Sequence, residues 1–156
     1  MKILLAIDGS PCSERAVEEV ARRPWPRDSQ VRIVSVVEPP APLVAEPYTG
    51  VSGYFEEVEQ LKRRQAEETV ARAAEALREG AGTALTGVSA EVVTGSPKRT
   101  IVEESEEWGA DLIVLGSHGY QTWERMLLGS VSQSVAAHAE CSVEIVRCRA
   151  KEEVRG

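Results

Sequence analysis

Aromatic side chains make up only 4% of this sequence, with a single phenylalanine, while aliphatic residues are plentiful. That is the composition of an ordinary globular protein. Cysteine is nearly as scarce. Cys12, Cys141 and Cys148 are too few and too scattered for a disulfide framework. They match no zinc spacing, and Cys141 and Cys148 are expected at opposite ends of one strand, out of bonding reach. The expectation is three reduced thiols in a cytoplasmic protein. The two histidines, His118 and His138, are isolated from one another and suggest no metal site. No run approaches the about 18 apolar residues of a membrane span, and no signal-peptide cleavage region follows the opening MKILLAI. Positive charge is also short: 18 basic against 25 acidic residues leave a formal charge of -7. This argues against nucleic acid or membrane surfaces as partners, since both are anionic. A small anionic ligand remains compatible, because a local array of backbone N–H groups holds one whatever the net charge.

What is present alternates. KILLAID (2–8) is a continuous apolar run suited to a strand buried on both faces. SPCSERAVEEVARR (10–23) predicts a helix with Ser10 as cap, Pro11 in its first turn and an apolar stripe of Ala16, Val17, Val20 and Ala21. QVRIVSVVE (30–38) is rich in β-branched residues and reads as the second strand. A proline-rich loop follows, and then a long amphipathic helix from Phe55, with Val58, Leu61, Ala66, Val70, Ala73 and Leu77 on one stripe. VSAEVVT (88–94) is a third strand. A helix follows with Ser96 as cap, Pro97 just inside and Gly109 at its end. DLIVLG (111–116), a short helix from Ser130, and SVEIVRC (142–148) complete the pattern. Strict alternation of five strands with helices predicts an α/β single domain, an open parallel sheet with helices on both faces. Ligands of such sheets sit beyond the carboxyl ends of the strands, where strand order reverses. That rule selects Asp8 to Ser10 and the turn after the fourth strand, if strands one and four are neighbours.

The turn after the fourth strand reads GSHGYQTWERMLLGSVS (116–132). The chain has no Walker A loop, no G-x-G-x-x-G after its first strand and no G-x-S-x-G elbow. Gly116 and Gly119 instead let the chain leave the sheet tightly with no Cβ to block a ligand. Gly129 and Ser130 expose N–H groups at a helix start, where the helix dipole favours negative charge. The hydroxyls of Ser130 and Ser132 offer further donors to phosphate, and Asp8 is placed to accept from ribose hydroxyls. Glycine and serine at such positions also serve ordinary turns and caps.

The spacing Gly116-x2-Gly119-x9-Gly129-Ser130 resembles the ATP-binding motif of the universal stress protein family. AIDGSPCSERAVEEV near the start, DLIVLGSHG before the motif and SVEIVR near the end resemble that family's segments as well. The likeness spans nearly the whole chain, as one domain over residues 1–148 with a charged tail over 149–156. It implies a sheet in strand order 3-2-1-4-5, Rossmann-like and of the adenine nucleotide alpha-hydrolase-like type, with ATP at its carboxyl edge. It further implies that Asp8 meets the ribose and the backbone of Val36 the adenine. Gly116, Gly119, Gly129, Ser130, Val131 and Ser132 would serve ribose and phosphates. A homodimer through the last strand, Ser142 to Arg147, is implied too. A magnesium ion accompanying the phosphates would be held mostly by ATP oxygens and water. Ser35 stands where the family often has histidine, and the proline-rich loop is this chain's own. Trp123 and Arg125 lie in the nine-residue spacer, where they could cover the phosphates or a partner, although solvent exposure is the favoured reading for Arg125. Lys98 and Arg99 sit in a first helical turn, either as ordinary surface charge, the reading favoured, or near the phosphates.

Three functions compete. The first is an ATP-binding stress-response switch or sensor with at most slow hydrolysis, since no element supplies both a positioned base and charge stabilisation at the γ-phosphate. The second is an adenylating enzyme of the alpha-hydrolase-like group, whose phosphate loop after strand one DGSPCS only faintly resembles. The third is a dimeric interaction protein with a vestigial pocket.

Overall fold

A computed structural model of the chain describes residues 1–40, 52–80, 85–119 and 128–148. The elements run β1 (Lys2–Ala6), α1 (Pro11–Arg22), β2 (Ser29–Val37), α2 (Ser52–Gly80), β3 (Leu85–Thr94), α3 (Pro97–Trp108), β4 (Leu112–Gly116), α4 (Ser130–His138) and β5 (Ser142–Val146). All four strand pairs are parallel, in the order β3-β2-β1-β4-β5. The order reverses between β1 and β4, which pair from Ile3 opposite Leu112 to Ala6 opposite Leu115. The proviso attached to the ligand rule is therefore met.

Period-two alternation explains how one apolar strand feeds two cores. Ile3, Leu5 and Ile7 face a layer built from Ala16 and Val20 of α1 and Val70, Ala73, Ala74 and Leu77 of α2. Leu4 and Ala6 face the opposite layer, with Ile101 and Val102 of α3 and Val135 of α4. β1 is thus covered on both sides, as its unbroken hydrophobicity requires. Trp25 packs in the same layer as Ile3, Leu5 and Ile7, and its indole N–H donates to the Val20 carbonyl at 2.7 Å, which satisfies that buried donor.

Helix ends follow the sequence with two exceptions. The Ser10 hydroxyl accepts from the Ser13 amide at 3.3 Å, as an N-cap should. Gly109 closes α3 in the left-handed region at φ 69°, its amide donating to the Glu106 carbonyl. Ser96, expected to cap α3 through its side chain, makes no such bond; its carbonyl accepts from the Thr100 amide at 2.8 Å instead. α2 starts earlier than expected, at Ser52 rather than Phe55. Its apolar stripe is buried from Ala66 to Leu77, whereas Leu61 is exposed. Two of the three cysteines also depart from expectation. Cys12 and Cys148 form a disulfide, their Cα atoms 4.8 Å apart, while Cys141 is a free thiol. The expectation failed because it paired cysteines by distance along β5; α1 lies across β4 and β5 and delivers Cys12 to the end of the last strand.

Candidate functional site

At the carboxyl end of the sheet, the starts of α1, α3 and α4 surround a cavity of about 530 Å³. That is within the usual range for a small-molecule site. All nine residues singled out from the sequence line it: Asp8, Ser10, Val36, Gly116, Gly119, Gly129, Ser130, Val131 and Ser132.

Asp8 follows β1 and is exposed to the cavity. One carboxylate oxygen accepts from the Ser10 amide at 2.9 Å, which fixes the side chain. The other lies where a Cβ on Gly119 would stand, 2.8 Å away. Glycine at 119 therefore keeps the cavity side of Asp8 clear. Gly116 has a different reason. A Cβ there would meet the Cys12 carbonyl carbon at 2.7 Å and the Ser13 amide nitrogen at 2.8 Å, so this glycine lets β4 pass against the first turn of α1. Gly129 likewise packs on backbone, with the Ser117 carbonyl 3.0 Å from its would-be Cβ. Of the three motif glycines, Gly119 is the one whose missing side chain leaves the cavity free.

The start of α4 is built on Ser117, a residue the sequence reading passed over. Its carbonyl accepts from the Gly129 amide at 2.7 Å and from the Ser132 hydroxyl at 3.0 Å. Ser132 is buried and also lies 3.0 Å from the Gly129 carbonyl, so its hydroxyl serves the protein rather than a ligand. Ser10 is similar, its hydroxyl 3.3 Å from the His118 carbonyl that accepts from it. Ser130 is exposed. The first intrahelical bond runs from the Gln133 amide to the Gly129 carbonyl, which leaves the amides of Ser130, Val131 and Ser132 without an acceptor inside the helix. Three N–H dipoles at the positive end of α4 thus face the cavity region.

The opposite wall is β2. The Val34 carbonyl accepts from the Ile7 amide at 2.9 Å, and the Val37 carbonyl from the Gly95 amide at 3.0 Å. Since strand polarity alternates, Val36 presents its N–H and C=O on the side of β1, just past the point where β1 ends. A donor and an acceptor side by side on an open strand edge suit a flat heterocycle with complementary edges. Lys98 and Glu38 also line the cavity, neither with a signal in the sequence that separates it from surface charge. Arg99 turns away to Glu103 at 3.0 Å. Trp123 and Arg125 lie outside the described residues, as do residues 41–51 of the proline-rich loop and the 149–156 tail. Among the described residues, no group of three His, Cys, Asp or Glu side chains is placed to hold a metal ion. No helix there is long and apolar enough to cross a membrane.

Comparison with known proteins agrees with this fold. Residues 1–147 match the model of the universal stress protein family. A universal stress protein of Methanocaldococcus jannaschii is 31% identical over 153 residues, covering 97% of this chain and 84% of the relative. Among solved structures, the universal stress protein UspA from Lactobacillus plantarum superposes with a TM-score of 0.76 at 22% identity, covering 94% of this chain and 97% of that one. An Arabidopsis thaliana family member with AMP bound superposes with a TM-score of 0.69 at 22% identity, covering 97% of this chain and 94% of its own. At those identities the two structures establish a shared fold. The sheet order, the topological switch with its cavity and a family match over nearly the full length lead to one conclusion: this chain belongs to the universal stress protein family.

Proposed function

We propose that the cavity binds ATP and that the protein works as a nucleotide-dependent switch or sensor in stress response. The observation that carries this reading is the span of complementary groups across one cavity. An open edge at Val36 suits an adenine, the Asp8 carboxylate suits ribose hydroxyls, and the acceptor-free amides at the start of α4 suit phosphates. The AMP bound to the Arabidopsis relative supports an adenine nucleotide as the ligand class. Magnesium would ride on the phosphate oxygens and water. Among the described residues of the lining, Lys98 supplies a single Lys or Arg cation, and this reading takes turnover to be slow at most.

We further propose a homodimer through β5. This strand is hydrogen-bonded to β4 on one side and forms an edge of the sheet. An edge of this kind is a template for pairing with a second copy. A cytoplasmic location fits an adenine-nucleotide sensor.

The test is nucleotide capture. Heating the purified protein should release ATP into the supernatant, and adding Mg-ATP to emptied protein should raise its melting temperature. Asp8→Ala should weaken ATP binding by about tenfold or more, the worth of a hydrogen bond to a charged group, with a cooperative melt retained. A parent protein that neither carries ATP nor shifts on adding it would leave the cavity a vestige.

A further inference from the structure

We propose that Cys12 and Cys148 form a reversible disulfide that controls how firmly residues 116–119 and the start of α4 are held at the phosphate side of the cavity, and through them the affinity for nucleotide. The affinity part rests on the ATP-binding reading above.

Three contacts place this bond at the site rather than merely near it. Cys12 is the second residue of α1, between Ser10 and Ser13, and both of those serines line the cavity. Its sulfur accepts from the Ser117 hydroxyl at 3.7 Å, and its backbone is what Gly116 packs against. From the other side the end of β5 holds the same turn, as the Ser117 amide donates to the Val146 carbonyl at 2.8 Å. Cys148 follows two residues later. The disulfide therefore closes a ring of α1, turn and β5 around Ser117, the residue whose carbonyl seats the start of α4. It joins positions 136 residues apart, so it restrains the chain globally as well as locally.

The two sulfurs differ in access. Cys12 is 3% exposed within a helix, while Cys148 is half-buried beyond the end of its strand. A dithiol reductant reaches Cys148 first. Its thiolate attacks that sulfur, the Cys12–Cys148 bond breaks, and the Cys12 sulfur leaves as a thiolate that takes up a proton. The second thiol of the reductant then displaces Cys148 as a thiol, and the reductant becomes the disulfide. Peroxide reverses the change: one thiolate attacks it to give a sulfenic acid and a hydroxide that takes up a proton from solvent, and the other thiol condenses with the sulfenic acid, releasing water. Cys141 is a poor competitor, because burial pushes its thiol above the ordinary value and lowers its thiolate fraction. Once reduced, the sulfurs must separate to non-bonded contact. Cys12 is fixed in α1, so Arg147 and Cys148 retreat and loosen the hold of the adjoining Val146 carbonyl on Ser117. A turn that must be ordered on binding binds more weakly than one already ordered. In the cytoplasmic setting proposed above, such a bond is transient and signals an oxidising challenge.

The experiment starts with thiol counting under denaturing conditions. Peroxide-treated protein should expose one thiol, Cys141, and dithiothreitol-treated protein three. Three thiols after peroxide would overturn the proposal. ATP affinity by calorimetry should be at least about fivefold weaker in the reduced form, the lower end of the range for coupled sites. Cys148→Ser should match the reduced parent and ignore dithiothreitol. Equal affinity in the two redox forms of the parent overturns the coupling while leaving ATP binding intact. If neither form binds ATP, the functional reading fails, and hydrogen exchange decides the structural part. Faster exchange of the amides of residues 116–119 and 129–132 on reduction supports control of the turn, and unchanged exchange overturns it.

Discussion

Gly116 and Gly119 are three residues apart in one motif, yet they answer to different neighbours. A methyl at 116 runs into the backbone of α1, which cannot step aside, so Gly116→Ala should cost about 1–3 kcal/mol in a urea melt. A methyl at 119 meets the far end of the exposed Asp8 side chain, which can swing away. Gly119→Ala should lower the urea midpoint less than Gly116→Ala does, by no more than the Asp8–Ser10 hydrogen bond that the displaced carboxylate gives up, while weakening the proposed ATP binding by about tenfold. The motif spacing in the sequence located both residues but assigned them one purpose. Which neighbour each glycine accommodates depends on β4 crossing the start of α1, and no local pattern carries that.

Elements show the same division. The stripe along α2 was readable as helix from its spacing, but its two halves differ in burial. Leu77 is fully buried between α2 and the sheet, whereas Leu61 is 56% exposed. Leu77→Ala should destabilise by about 2–5 kcal/mol. Leu61→Ala should change stability by no more than about 0.5 kcal/mol in the same urea series. Periodicity gives the direction a side chain faces around the helix. It does not say where along the helix the sheet stops. The caps divide likewise: Ser10 bonds its helix as its residue type suggests, while Ser96, in an equivalent Ser-Pro pair, does not.

Across the whole molecule, opposite ends of the sheet are organised differently. The carboxyl end is an open cavity, and the amino end is closed by Trp108, over which the Lys2 ammonium and the Arg32 guanidinium stack at 5.5 and 4.9 Å. Glu104 sits beside this cluster, 3.6 Å from Arg32. Burial, reinforced by the carboxylates of Glu91 and Glu107, holds its carboxyl above the ordinary value, and Arg32 offsets only part of this. A folded-state pKa above the unfolded one means that folding favours the protonated acid. That contribution is complete below the unfolded value, near 4.5, and is lost as pH rises through the folded one. Glu104→Gln should therefore be more stable than the parent at pH 7, by on the order of 0.5 kcal/mol, with no difference below about pH 4. Urea midpoints at the two pH values check this. At the far edge of the same sheet, the Arg23 guanidinium clasps the Glu144 carboxylate at 2.5 and 2.6 Å and ties the end of α1 to β5.

By itself the sequence determined the order of strands and helices, the two-sided burial of β1 and the motif residues that gather at the carboxyl end. Each of these follows from local rules: residue periodicity, cap chemistry and the steric freedom of glycine. Tertiary structure alone decided that Ser117 seats α4, that Ser10 and Ser132 spend their hydroxyls on the protein, and that Cys12 meets Cys148. The Ser117 and Ser132 contacts depend on where the start of α4 lands against the end of β4. The Ser10 and Cys12 contacts depend on α1 lying across β4 and β5, a packing that joins residues 108 and 136 positions apart. Contacts at that separation are set by how whole faces fit together, and a run of neighbouring residues carries no record of it.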